Sequence, residues 1–411
     1  MSNLSAPSPR DGRAPVRTPY PRGLEPLQGR VLLQISANLS WWVEEHVEAE
    51  REGLVLVGPQ AYKKARNLRR RGFHYPLLVD PGLYQEHPAT EERPFPVPVR
   101  APAEEAAVSL FEEDEGNPLE RSLQAQRAAG VTAAMTPSGY VRAEDSEALI
   151  AMVEATIAHG DPAVILVLPL DVTWFRDDAN TATVIAALQM YKGPKAIMLG
   201  GQMDPLSRFK QPVTNLCKVL TEVEDCSLMR ADLAAFGALA HGAAFASIGA
   251  TSSMRHIVPP GAKAQTGGGA YASSPHVLHH ETLGFYLGST LQNRFAGARA
   301  PICDCTVCEE RGLDRFLSRA GEDLKEAAAH NIEILRRLRD QLMAQEPGLP
   351  RQRSWRESCQ QVQGRCESIN AELRVPKGFS VPKQVALWAA LPLPEQSEAA
   401  TSAKAAGQES S

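Results

Sequence analysis

The chain has 411 residues, 43% of them hydrophobic, and a formal net charge of −5. That is enough apolar material for one large core, and it excludes a protein coated in positive charge, so any contact with nucleic acid has to use local patches. No apolar run is long enough to cross a bilayer, and the first residues are rich in Pro, Ser and Arg without an apolar stretch, so we expect a protein without a membrane segment in a reducing, cytoplasmic setting.

In chain order, residues 1–27 carry many Pro and Arg and read as a disordered tail. Short apolar runs then follow at Val31 to Ser36, Leu54 to Val57, Leu77 to Asp80, Thr132 to Thr136, Val164 to Pro169, Ala196 to Gly201, Ser227 to Arg230 and Phe245 to Gly249. Most are separated by segments of helical periodicity with recognisable ends: Asn117, Pro118 and Glu120 open one helix, and Gly160 closes another. Strand and helix alternating eight times predict an α/β fold, a (β/α)8 TIM barrel, over residues 28–345. Chemistry in such a barrel gathers where the strands end. Those ends offer Asp80, Ser138, Asp171, Gly200, Gly201 and Ser247.

Asp80 and Asp171 form a candidate pair for acid or base and nucleophile, although an Asp just past a strand also commonly caps the next turn. Trp174 and Phe175 read either as stacking platforms or as packing. Two basic clusters, Lys63 to Arg71 and Arg336 to Arg356, read as solvated helix faces or phosphate contacts. Arg255 and His256 carry the same two alternatives. Gly267, Gly268 and Gly269 suggest a flexible lid within an insertion at 262–300, which also holds His276, His279, His280 and Glu281. That last group reads as a second metal or acid–base cluster, or as an outer helix.

The sharpest chemical signal lies downstream. Cys303, Cys305 and Cys308 form a C-x-C-x-x-C knot, and His330 follows on an expected helix from about Leu313 to Gln345. Three thiolates and one imidazole, with no carboxylate, are the closed type of Zn2+ site that holds structure together, so we expect a structural zinc subdomain over 303–330. The odd total of seven cysteines argues against a disulfide framework. Residues 346–391 read as a C-terminal extension and 392–411 as a second disordered tail.

Several of these segments resemble the tRNA-guanine transglycosylase superfamily. His330-Asn331 is similar to the "HN" pair that closes the family's zinc knot. Leu78 to Gln85 resembles its "TDSGGYQ" segment, Asn117 to Gln126 its "SPE-S-x-x-x-Q" helix, and Leu199-Gly200-Gly201 its "VGG" turn. The likeness runs from about Gln28 to Arg339. It implies a divergent member of that superfamily, a pentosyltransferase that exchanges guanine for a 7-deazaguanine in tRNA, or in DNA. It further implies Asp80 as the carboxylate at the bound base, with Tyr84, Gly200 and Gly201 in the matching segments as substrate contacts and a purine or 7-deazapurine as ligand; Ser138, Gln202 and Arg255 are candidate substrate contacts from their places near the strand ends. The chain departs from the family at three points: Ser247 stands where the family has its nucleophilic Asp, Thr136-Pro137-Ser138-Gly139 where it has a base-reading Asp, and Leu168-Pro169-Leu170-Asp171 where it has a Gln. Asp171 is then the candidate substitute nucleophile. The same departures suit an alternative, a catalytically inactive zinc-bound barrel that binds nucleic acid or serves as an accessory subunit. The resemblance also implies a homodimer, or a heterodimer with a catalytic relative.

Overall fold

Runs rich in Val, Ile and Leu and bounded by turn residues become the strands of a parallel sheet, which is buried on both faces. They are β1 (Val31–Ser36), β2 (Leu54–Val57), β3 (Leu77–Asp80), β4 (Leu166–Asp171), β5 (Lys195–Gly200), β6 (Cys226–Ala231) and β7 (Ala246–Gly249). The computed structural model describes residues 22–48, 50–96, 117–264, 274–318, 321–375 and 377–393. All seven strands are parallel, in the order β3-β2-β1-β7-β6-β5-β4, and the sheet is curled.

Alternation along each strand sorts its side chains. Leu32, Val55, Leu78, Val167, Met198 and Met229 fill the concave face together with Leu27 and Phe245. Val31, Leu33, Leu54, Leu77, Leu166 and Leu228 point outward into the larger core beneath the helices. Those helices are α1 (Ala61–Arg70), α2 (Pro118–Ala128), α3 (Ser146–His159), α4 (Asp178–Met190), α5 (Pro212–Glu222) and α6 (Ala234–Ala240). Asn117 caps α2 as expected, its Oδ1 accepting from Leu119 N at 3.0 Å, and Gly160 ends α3 in the left-handed region at φ 79°.

The sheet has seven regular strands, whereas the alternation suggested eight. The difference is Thr132–Thr136, which runs past both edges without becoming a strand. Thr132 N donates to Leu77 O at 2.7 Å on the β3 side, and Ile165 N donates to Ala134 O at 2.9 Å beside β4. Further along, side chains take over the pairing: Thr136 Oγ1 accepts from Val167 N at 2.9 Å and Ser138 Oγ donates to Val167 O at 2.6 Å. Pro137, which has no N–H, interrupts any regular ladder there.

After β7 the chain makes an antiparallel hairpin, β8 (His276–His279) and β9 (Gly284–Leu287). Helix α7 (Gly288–Phe295) follows, then a small ribbon of β10 (Ile302–Cys303) and β11 (Arg311–Gly312), and then the long helix α8 (Gly321–Met343). His276 and His279 therefore sit on a strand, not on the outer helix. The C-terminal extension forms α9 (Leu349–Leu373) and α10 (Lys383–Ala390). It is part of the core: Trp355 packs on Phe236 with ring centroids 5.6 Å apart, and the Trp388 ring lies so close to Gly237 that a Cβ there would come within 2.4 Å of it. Of the N-terminal tail, only residues 22–27 are described; they include a turn over Glu25–Leu27 whose Leu27 is fully buried. The glycines at 267–269 and residues 394–411 lie outside the described residues. Among the described residues, no helix is long and apolar enough to cross a membrane.

Candidate functional site

Two buried polar centres stand out, one beyond the sheet and one at its mouth. In the first, β10 and the tight turn after it deliver Cys303, Cys305 and Cys308, and α8 delivers His330. All four are fully buried, and their ligand atoms lie within 4.8 Å of one another. The turn is shaped by Glu309 and Glu310, both at positive φ, and by Cys308 N donating to Cys305 O at 3.0 Å. His330 Nδ1 faces the sulfurs at 3.6, 3.6 and 3.2 Å from Cys303, Cys305 and Cys308. Its other nitrogen, Nε2, bonds Leu278 O at 2.9 Å, which fixes the tautomer that leaves the Nδ1 lone pair toward the thiols.

Crowded thiols share protons unequally. Hydrogen bonds with Cys303 and Cys308 hold Cys305 far below the usual thiol range, while those with Cys305 and Cys308 push Cys303 far above it. Arg315 adds positive charge, donating from Nη2 to Cys308 Sγ at 3.2 Å and to Glu326 Oε1 at 2.9 Å. Soft donors, a thiolate already favoured and an oriented imidazole together make a group that can bind a metal ion. Asn331 extends the clasp. Its Oδ1 accepts from Leu278 N at 2.7 Å and its Nδ2 donates to His276 O at 2.8 Å, so the His330-Asn331 pair fastens α8 along β8.

The second centre fills the concave face at the strands' C-terminal ends. Asp80, 2% exposed, ends β3, and its Oδ2 accepts from Tyr84 Oη at 2.6 Å and from Gln34 Nε2 at 2.8 Å; its Oδ1 accepts from Gly82 N at 2.9 Å. Ser247, on β7, donates to Gln34 Oε1 at 2.7 Å and accepts from Arg230 N at 2.9 Å. Gln34 thus joins Asp80 to Ser247 in one buried chain. Arg230, on β6, completes it: Nη1 donates to Tyr84 Oη at 3.1 Å, Nε to His256 O at 2.8 Å and Nη2 to Ser253 O at 2.9 Å. Burial pushes the Asp80 carboxyl up, and the Arg230 guanidinium and the three hydrogen bonds pull it back part of the way.

Asp171 stands apart from this chain. Its Oδ1 caps the turn Val172–Phe175 by accepting from Thr173 N at 2.9 Å, and its Oδ2 accepts from Tyr140 Oη at 2.8 Å. The candidate pair of Asp80 and Asp171 is therefore not joined by hydrogen bonds; Asp80 is linked through Gln34 to Ser247 instead. Tyr140 also covers Gly200, where a Cβ would lie 2.3 Å from the phenol ring. The backbone N–H groups of Gly201 and Gln202 both donate to Ile257 O, at 3.2 and 3.1 Å, and Gln202 Nε2 donates to Lys263 O at 3.1 Å. Ser138 is 2% exposed and engaged with Val167 O and Thr136 Oγ1. Arg255 donates from Nε to Gly249 O at 2.9 Å, and its guanidinium lies 3.4 Å from the centre of the Phe285 ring.

Trp174 and Phe175 are buried packing residues. In the second basic cluster Arg336 pairs with Glu48, Glu52 and Glu333, and Arg337 pairs with Asp304 and Glu333. His279 is fully buried, and neither ring nitrogen has a hydrogen-bond partner among the described residues. Gln34 and Arg230 are members of this buried network that sequence reasoning missed. The available signal was a single amide or guanidinium within an otherwise apolar strand run, which is expensive to bury unless it is satisfied.

Beside the mouth, Asp232 and Arg255 flank a small cavity of about 20 Å3 that Gln384 of α10 also lines. Asp232 accepts from Ala234 N at 2.9 Å, and burial raises its carboxyl to about 6. For an acid raised on folding, the native state holds its proton more tightly than the unfolded chain. The group's contribution to stability is therefore lost as pH rises from about 4 to about 6. Asp232→Asn is expected to remove that part of the slope, so that the difference in thermal midpoint between wild type and variant changes across this window and is flat above it; parallel curves from pH 4 to 8 would contradict the assignment. No protein-family model matches the chain, and no curated protein matches it either, so its functional reading stands on its residues and their geometry.

Proposed function

We propose that the chain is a divergent tRNA-guanine transglycosylase-like protein, a zinc-clasped barrel that exchanges guanine for a 7-deazaguanine in tRNA or DNA. The observation that carries the proposal is the buried Cys303, Cys305, Cys308 and His330 group, tied to β8 by Asn331 and placed after the last strand of a curled parallel sheet. That is the order and chemistry the sequence resemblance calls for. In this reading the ion is Zn2+, since tetrahedral bonds to sulfur and nitrogen imply sulfur–nitrogen separations of about 3.5 Å, close to the spacing of these donors. Zinc here supplies structural cross-linking and no chemistry of exchange. The segment Thr132–Thr136, bonded at both sheet edges, takes the place of the eighth barrel strand.

Asp80 is the reacting carboxylate of this proposal. Gly82 N and Tyr84 Oη orient it at the end of β3, and in this reading its negative charge serves the ribosyl centre that becomes positive as the base leaves. Gln34 holds Ser247 and Asp80 at fixed spacing. Labelled guanine is expected to enter tRNA or DNA in the presence of the zinc-loaded chain. Absence of exchange into either nucleic acid by folded, zinc-replete protein ends this reading.

A specific observation favours a second one. Arg230 and Tyr84 fill the mouth and Tyr140 covers Gly200, as suits a barrel that binds nucleic acid or a catalytic partner without turnover. Co-purification with such a partner, together with absent exchange, supports it; an isolated chain that binds neither partner nor nucleic acid opposes it.

A further inference from the structure

Arg230 is 4% exposed, and its guanidinium sits among acceptors from two segments of the chain: His256 O and Ser253 O of the loop after β7, and, after β3, Tyr84 Oη and, at the limit of hydrogen bonding, Gln85 Oε1 at 3.5 Å. Its carbon lies 5.6 Å from the centre of the Tyr84 ring. The backbone beneath it is unusual. Arg230 has φ 54°, a left-handed conformation that side-chain-bearing residues rarely adopt, at the point where the β6–β7 register shifts. Strain of this kind persists only where the surroundings over-determine it, and it clusters at ligand sites.

A guanidinium is a planar N–C–N unit with N–H donors along its edge. Guanine carries the same unit within its ring, as N1–H, C2 and the exocyclic amino group. Adenine and hypoxanthine do not. Acceptors arranged around one such group suit the other. We infer that Arg230 is the resident occupant of a ligand seat at the sheet mouth, an internal stand-in for a guanine-type base, which enters only after this side chain withdraws. The inference rests on the base-exchange reading for its ligand class. Its seat is built from residues of this chain alone, and Asp80 lies at its inner side, linked through Tyr84 Oη. Withdrawal is coupled to the loop after β7, because Arg230 holds two of that loop's carbonyls.

The test is equilibrium dialysis of the full-length, metal-loaded chain against labelled guanine, with adenine and hypoxanthine as competitors. Arg230→Gly both empties the seat and suits the left-handed backbone. It is expected to bind guanine at least ~10-fold more tightly than wild type, a change in free energy of about 1.4 kcal/mol. Adenine and hypoxanthine should compete poorly, and millimolar guanidinium ion should displace the base. Arg230→Ala, which also empties the seat and keeps every acceptor, serves as a second variant should Arg230→Gly not fold, and is expected to give a smaller gain because its side chain is strained at φ 54°. Folded variants that bind guanine no better than wild type, or that bind adenine equally well, overturn the inference. Dialysis needs neither nucleic acid nor turnover, so the two readings fail separately. Guanine binding by Arg230→Gly without exchange sinks only the base-exchange reading, whereas exchange by wild type with no binding gain in either variant sinks only the plug.

Discussion

Cys308→Ser is expected to strip the metal from the chain and to lower its stability by at least about 5 kcal/mol, because structural zinc clasps contribute on the order of 10 kcal/mol to the folding of the units they close. The ordinary margin of a native protein is about 5–15 kcal/mol, so the region from β8 to α8 should melt ahead of the sheet. Wild type should contain about one zinc per chain, the stoichiometry of one four-donor site. Chelation should reproduce the variant's behaviour, and Cys305→Ala should lower soluble yield as well as metal content. Elemental analysis and thermal denaturation check both points. Metal-free wild type, or a Cys308→Ser variant that melts with wild type, would falsify the clasp.

Asp80→Ala gives the second large effect. It removes the acceptor for Tyr84, Gln34 and Gly82 together, and leaves the neighbouring Arg230 guanidinium without its counter-charge. Stripping one partner from a buried ionic network costs about 3–5 kcal/mol. Asp80→Asn keeps one carbonyl acceptor but turns an NH2 group toward existing donors, for a smaller loss of about 1–3 kcal/mol. Urea unfolding at neutral pH separates the two variants. Should Asp80→Ala lie within about 0.5 kcal/mol of wild type, the range of ordinary surface changes, the network has no energetic meaning. On the proposed function, neither variant exchanges guanine.

Local features of the chain were legible in its residues, while long-range polar partnerships were not. β1, β2 and β3 coincide with the apolar runs at Val31, Leu54 and Leu77, because turn residues bound each run sharply. β4 sits two residues later than its run suggested, since Pro169 lies within the strand, not at its end. Thr132–Thr136 carried enough apolar and β-branched character to read as a strand, but its backbone pairing with the β4 side is limited to one bridge at Met135 and Ile165, beyond which the Thr136 hydroxyl bonds Val167 N and Pro137 offers no N–H. The metal group was legible because its three thiols lie within six residues and their pattern has few other uses. The mouth was not, because Gln34 meets Asp80 across 46 positions and Arg230 meets Tyr84 across 146. Such pairings are set by sheet register, which no local pattern encodes. Asp171 was read as a strand end with two alternatives, and its partner Tyr140 lies in irregular chain where periodicity offers no help.

The fastening of β8 by His330 and Asn331 has a consequence beyond the fold of one molecule. Peptide groups of His276 and Leu278, which a bare strand margin would offer to any passing chain, are taken up by two side chains of α8. Unpaired margins of this sort template self-association. If the group holds an ion as proposed, its removal slackens α8 and opens that margin, so demetallated protein should be lost first by clumping with its own copies, faster at higher concentration, before its sheet has unfolded.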